Sequence, residues 1–241
     1  YQQKFQSLSP HSLVANGDRL VARGAKVLDI GCSTGYICKR LAQRNACEVA
    51  GVDMLAASMM KDCSFPYLQA DLEGDLEPLN ALLERMQPDV VLMLDVLEHL
   101  SSPELFLLNL YRRNYRKSPK FIFSTGNVAF FVVRFMLLLG FFNYGNKGIL
   151  DVTHKRLFSM RTFRNLLDQT GFIITQKHYF PFPFHALGLP GSLAKTLEKI
   201  NIGLIKLWPG LFAYQAMYEA VSLKTPELVL RDTLKNTLPA A

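Results

Sequence analysis

The first half of the chain alternates short apolar runs with stretches of helical periodicity, the pattern of a parallel sheet covered by helices on both faces. Runs rich in Val, Ile and Leu predict strands at 26–30, 48–52, 67–69, 89–94 and 121–124. Between them the spacing predicts helices at 36–44, 56–61, 79–85 and 104–115. The last follows Ser101-Ser102-Pro103, a favourable cap with Pro in the first turn, where no backbone N–H is needed. Further on, Ser159 opens and Gly171 stops a helix at 160–169, and strands at 172–178 and 215–223 bring the count to seven. The expected class is α/β, a Rossmann-like doubly wound sheet.

Two apolar insertions, 128–144 and 180–211, interrupt the second half, and a polar tail begins at Lys224. The expected organisation is therefore one domain over 1–223, with cap insertions at about 128–158 and 180–211, and a tail over 224–241. The composition, 49% hydrophobic and 20% charged, points to apolar surface beyond one core, and the insertions carry it. Residues 128–142 are broken by Arg134 and fall short of the ~20 residues that span a bilayer. Insertions after the fifth and sixth strands project at the carboxyl edge of the sheet, where open α/β sheets bind ligands, so a cap over a ligand pocket is expected. A helix packed on all sides reads the same way in sequence.

The net charge is +7, and five basic residues fall within 111–120: Arg112, Arg113, Arg116, Lys117 and Lys120. Such a cluster is either the solvated end of a helix or an attraction to anionic lipid, and in the second reading the arginines would bring the cap to a membrane surface. Cys32, Cys38, Cys47 and Cys63 show neither C-x-x-C pairing nor matching His spacing, so no zinc site or disulfide framework is expected, and a reducing cytoplasm fits. Tyr1 opens the chain without an initiator Met or a signal-like segment, as expected of a trimmed or mature form.

The densest chemical signal is Val27-Leu28-Asp29-Ile30-Gly31-Cys32-Ser33-Thr34-Gly35-Tyr36, where small residues let a buried strand turn sharply into a helix and leave backbone close to a ligand. Asp53 ends the second strand, 22 residues after Gly31, and its carboxylate suits both hydroxyls of an adenosine ribose. A dinucleotide fingerprint needs glycine where this chain has Ser33 and Tyr36. The third glycine of that fingerprint lets a helix N-terminus reach a pyrophosphate, a group that S-adenosylmethionine (SAM) does not possess. The loop therefore favours SAM over NAD.

These residues resemble the class I SAM-dependent methyltransferases, especially the bacterial group that includes ubiquinone-type O-methyltransferases and enzymes acting on sugars, lipids and natural products. The resemblance spans roughly 9–223 and rests on Leu28-Asp29-Ile30-Gly31-Cys32-Ser33-Thr34-Gly35, Gly51-Val52-Asp53, Ala70-Asp71-Leu72 and Asp95-Val96-Leu97-Glu98-His99-Leu100. The loop from Asp151 to Ser159 and the run Leu166 to Phe172 continue it. It implies strand order 3-2-1-4-5-7-6 with the seventh strand antiparallel. It also implies that Asp29, Gly31 and Gly35 shape the methionine end of a SAM pocket, with Cys32, Ser33 and Met54 also at the cofactor. Asp53 would then hold the ribose, Asp71 and Leu72 would meet the adenine, and Asp95 would lie beside the methionine moiety. Ser33 departs from the family, where most relatives have glycine.

Methyl transfer from a sulfonium releases a neutral thioether, so positioning supplies much of the catalysis and a base is needed only for a protonated nucleophile. His99 and His154 lie in loops at the ligand edge and are the candidate bases, while His11 is placed on an N-terminal lid. The expected acceptor is a small-molecule or lipid-like compound, methylated at oxygen, with S-adenosylhomocysteine as the spent donor and with peripheral membrane contact. A nucleic-acid methyltransferase is disfavoured by the absence of an N-P-P-Y type tetrapeptide and of an RNA-binding module. A non-catalytic SAM-binding scaffold or partner subunit is the alternative from another class.

Overall fold

The computed structural model describes residues 20–60, 64–113 and 118–223. Five parallel strands run through the sheet: β1 (Lys26–Ile30), β2 (Glu48–Asp53), β3 (Tyr67–Gln69), β4 (Val90–Leu94) and β5 (Lys120–Gly126). They are joined to β6 (Phe172–Phe180) and β7 (Gln215–Ser222) in the order β3-β2-β1-β4-β5-β7-β6, with β7 antiparallel to both neighbours. The seven-stranded Rossmann-like sheet and its reversed last strand are as expected.

Alternation along the strands splits the core between two faces. Leu28 and Ile30 of β1 pack on one side with α2 (Glu77–Met86), α3 (Pro103–Tyr111) and α5 (Met160–Gln169). Val27 and Val49 pack on the other with Cys38 and Leu41 of α1 (Tyr36–Asn45). Ser159 caps α5 by accepting from the Thr162 N–H at 3.2 Å, and the Thr162 hydroxyl accepts from the Ser159 N–H, so two otherwise unpaired donors are satisfied.

Several boundaries differ from the sequence reading. The helix expected at 56–61 is a single 3-10 turn at Ala57–Met59, entered from an extended Ala56, and Lys61 lies outside the described residues. β5 and β6 run further than their apolar runs because β7 pairs with them up to Gly126 and Phe180. α3 ends at Tyr111 instead of 115.

α3 returns to the amino edge of the sheet, the edge opposite the carboxyl ends that carry the loops. Arg112 and Arg113 therefore follow its last turn far from the insertions, and Lys120, at the start of β5, holds Glu219 at 3.0 Å and the Leu20 carbonyl at 2.7 Å. The expectation that these arginines bring the cap to lipid is corrected on that ground. Arg116, Lys117, His11, Cys63 and the 224–241 tail lie outside the described residues.

The first insertion forms α4 (Phe131–Leu138), and the second forms α6 (Gly191–Leu207) and α7 (Pro209–Phe212). Phe130 and Val133 pack with Ile149 and Leu150 in a small satellite core, but Leu137, Leu138, Leu139 and Phe141 are exposed. The insertions are thus not packed on all sides; their aromatic residues are not among those lining the cleft described below, which the first insertion reaches through Thr153 and Lys155. Periodicity marks a helix's apolar face but not what covers it. Among the described residues no helix is long and apolar enough to cross a membrane.

Candidate functional site

At the carboxyl ends of β1, β2 and β4 lies a cleft of about 500 Å³, within the usual size range of small-ligand sites. Its floor is the turn from β1 into α1. Gly31 has φ +79°, and a Cβ there would stand 2.4 Å from Cγ2 of Val96, so only glycine lets the loop pass this close to the start of the β4 loop. Ser33 also sits in the left-handed region, at φ 49°, a conformation that glycine adopts more readily than serine. Its N–H donates to Oδ2 of Asp53 at 2.7 Å, and the Leu55 N–H donates to Oδ1 at 3.1 Å. Asp53 therefore ties the loop to the end of β2 with one lone pair on each oxygen and retains acceptor capacity toward the cleft.

Gly31, Ser33, Asp53, Met54, Asp71, Leu72 and Asp95 all line this space, as does His99. Asp29, Cys32 and Gly35 lie beneath or behind it. Asp29 is buried and accepts from the Cys38 thiol at 3.4 Å, and burial, with the Asp53 charge nearby, pushes its carboxyl up to about 7. Cys32 packs into the core on the α1 side, and Gly35, at φ 73°, begins α1. Asp71 is exposed and its Oδ1 accepts from the Glu73 N–H at 2.9 Å, so it also stabilises its own turn.

Asp95 occupies the strained end of β4, with φ 56°. Ser124 donates to its Oδ1 at 2.7 Å and Gln215 donates to its Oδ2 at 2.5 Å, while burial raises its carboxyl above the ordinary range. Beside it, His99 and His154 meet edge to face with ring centroids 4.8 Å apart. His154 Nδ1 lies 2.9 Å from the Ile149 carbonyl, and His99 Nδ1 lies 3.3 Å from both the Thr153 carbonyl and its hydroxyl. A carbonyl only accepts, so each Nδ1 carries a proton, and in the neutral form of either ring the lone pair is then on Nε2. Burial and the neighbouring His154 lower the pKa of His99. His99 does not cap a longer helix; it ends a 3-10 turn at Leu97–His99.

Sequence reasoning missed the groups that close the cleft from the side. Glu73 pairs with Lys155 and accepts from the Ser101 N–H at 2.6 Å, which lowers its carboxyl to about 2. These partners are 82 and 28 residues apart, and nothing local marks them. Glu98 was visible only as part of a motif. Its side chain is buried, its Oε2 meets no hydrogen-bond partner among the described residues, and burial and Asp95 push it up to about 8.

A 3-2-1-4-5-7-6 sheet with a glycine-floored cleft and an acidic residue at the tip of β2 defines a SAM-binding α/β domain. Residues 5–177 match the family model described as "Methyltransferase domain". The chain belongs to this methyltransferase family, with SAM as the family's cofactor. It is 33% identical over 114 residues to a ubiquinone biosynthesis O-methyltransferase of Pseudomonas entomophila, covering 46% of this chain and 48% of that protein. It is 37% identical over 93 residues to the protein of the same name from Maricaulis maris, covering 37% and 36%. The match thus spans about half or less of these relatives' length.

Solved structures share the fold. A SAM-dependent methyltransferase from Archaeoglobus fulgidus superposes with a TM-score of 0.57 at 19% identity, covering 92% of this chain and 97% of that one. The 1,6-didemethyltoxoflavin-N1-methyltransferase of Burkholderia thailandensis, solved with S-adenosylhomocysteine, gives 0.54 at 13% identity, covering 93% and 84%. The residues present fit the cofactor: the cleft has room for an adenosyl amino acid, and the Asp53 carboxylate in its lining keeps acceptor capacity for hydroxyl groups.

Proposed function

We propose that this chain methylates a hydroxyl oxygen on a small, partly apolar acceptor. In this reading Asp53 and Met54 flank the ribose, Asp71 and Leu72 the adenine, and Gly31, Ser33 and Asp95 the methionine end. Asp29, Cys32 and Gly35 support the loop from behind. When bound, SAM supplies an electrophilic methyl group on a sulfonium. The chain's own groups then have to hold the acceptor in line with that methyl and to take one proton from it. His99 or His154 takes the proton at Nε2.

The observation that carries this reading is the histidine pair itself: two rings held through Nδ1 on carbonyl groups, which leaves Nε2 as the basic atom of each neutral ring, beside the acidic end of β4. A positioning-only mechanism has no need of such a pair. Similarity to O-methyltransferases of ubiquinone biosynthesis favours oxygen and a small molecule over nucleic acid.

The test is transfer of labelled methyl from SAM to catechols carrying alkyl tails of increasing length, with separate His99→Asn and His154→Asn variants. The expected product is a methyl ether, with turnover reduced ~10²-fold or more in one variant and SAM affinity unchanged. Wild-type rates in both variants would remove the base. Labelling of amines or nucleic acid alone would overturn the acceptor class, and SAM binding without transfer to any probe would leave a scaffold.

A further inference from the structure

We infer that the face built by the two insertions docks on an anionic lipid surface, with α4 and α6 lying in the headgroup region. Leu138 and Leu207 are each 81% exposed, and Phe135 and Trp208 are 59% and 58% exposed. Single exposed apolar residues need no explanation, but a cluster of this size on adjoining elements does. The two insertions adjoin: the Phe131 ring meets that of Phe212 at 5.8 Å, and Asn127 donates to the Gly210 and Ala213 carbonyls.

α6 is divided lengthwise. Ala194, Asn201 and Ile205 are buried against the domain. Leu193, Ile200 and Leu207 recur every seven residues, two helical turns, and form a separate exposed stripe. Lys195, Lys199 and Lys206 are exposed as well and share one side of the helix, next to that stripe and away from the buried face. An apolar stripe bordered by lysines is the pattern of a helix lying in a bilayer interface, where the long stems reach the headgroups.

Charge selects the occupant. Within 128–148 the charged residues are Arg134 and Lys147, and within 181–212 they are Lys195, Lys199, Lys206 and Glu198, five cations against one anion. A second copy placed face to face would set these cations against their own kind, whereas an anionic bilayer complements them. This charge comes from the insertions, not from the Arg112 cluster at the opposite edge. The second insertion leads straight to the site: Gln215, two residues beyond Ala213, donates to Asp95. An acceptor dissolved in the bilayer would therefore meet the site from that side, a consequence that rests on the proposed function, while the docking itself does not.

Trp208 is the chain's sole tryptophan and lies in the proposed face, so its emission reports docking directly. The experiment mixes the full chain with vesicles of about one-third phosphatidylglycerol in phosphatidylcholine, and with phosphatidylcholine alone, at low and physiological ionic strength. The expected result is a blue shift of Trp208 and co-sedimentation with the anionic vesicles, weakening as salt rises. Lys199→Gln should lower the partition coefficient about fivefold, and Leu138→Ser with Leu207→Ser at least about tenfold. S-adenosylhomocysteine binding in solution should persist in every variant, which separates failure of docking from failure of the fold or donor site. An unchanged Trp208 spectrum with no co-sedimentation at low salt would overturn the inference. So would equal binding to both vesicles regardless of Lys199, or a dimer broken by the two serine substitutions.

Discussion

Asp53 is the residue whose loss has the most direct reading. Its two oxygens already accept from the Ser33 and Leu55 N–H groups at 2.7 and 3.1 Å, and a carboxylate offers about four acceptor positions. Asp53→Ala thus removes the acceptors available to the ribose and also releases the loop that carries Ser33. Charge-assisted hydrogen bonds to a ligand are worth about 1.5–3 kcal/mol together, which is roughly a 10- to 150-fold loss of affinity. The two internal bonds add about 1 kcal/mol of stability loss, discounted for partial exposure, or a few degrees of Tm in a chain of this length. Calorimetric titration with S-adenosylhomocysteine reads the first effect and thermal unfolding the second. Asp53→Asn should fall between the two, because its amide keeps one acceptor but sets an NH2 against a backbone donor. Affinity equal to wild type in Asp53→Ala would refute the assignment, and so would a loss no larger than that of Asp71→Ala.

Other substitutions test separate parts of the account. Gly31→Ala places a methyl 2.4 Å from Val96 at φ +79°, so it should cost both stability and donor affinity, and Gly31→Ala with Val96→Ala should recover part of the loss; additive effects in unfolding and calorimetry would contradict the contact. Burial holds the folded Asp29 near 7 against an ordinary 3.8, so the unfolded chain releases this proton first and stability falls as pH rises between those values. Asp29→Asn should therefore raise Tm relative to wild type at pH 8 by an amount corresponding to about 2–4 kcal/mol, with little gain near pH 4; a constant difference across pH would reject this. Because the pKa of His99 is lowered from 6.5, the acidic limb of kcat/KM should lie below that value if His99 is the base, and His154→Asn should move it upward by removing the neighbouring ring that lowers it.

Strands such as Lys26–Ile30 and Tyr67–Gln69 and the helix Met160–Gln169 were legible because local pattern and caps coincide with tertiary packing there. The lining of the cleft at the ends of β1 and β2 was legible for a similar reason: a sharp strand-to-helix turn needs small residues at fixed spacing, and the tip of the next strand lies beside it. The side formed by the later loops was not. His99 and His154 each stood out as a loop histidine, but their meeting at 4.8 Å depends on a loop 54 residues on folding back to place Thr153 against His99. Glu73 with Lys155, and Gln215 with Asp95, are joined across 82 and 120 residues by the sheet order alone. The insertions advertised their hydrophobicity but not their exposure, since the same 3.6-residue period serves a buried helix and one that faces a lipid surface.

The central claim is that the cleft between the ends of β1, β2 and β4 receives the methyl donor. Amide hydrogen exchange of the wild-type chain with and without S-adenosylhomocysteine tests it most directly. The account predicts added protection over residues 31–35, 53–55 and 71–73, with NAD producing none. Protection confined to other parts of the chain, or produced by NAD and not by S-adenosylhomocysteine, would contradict it.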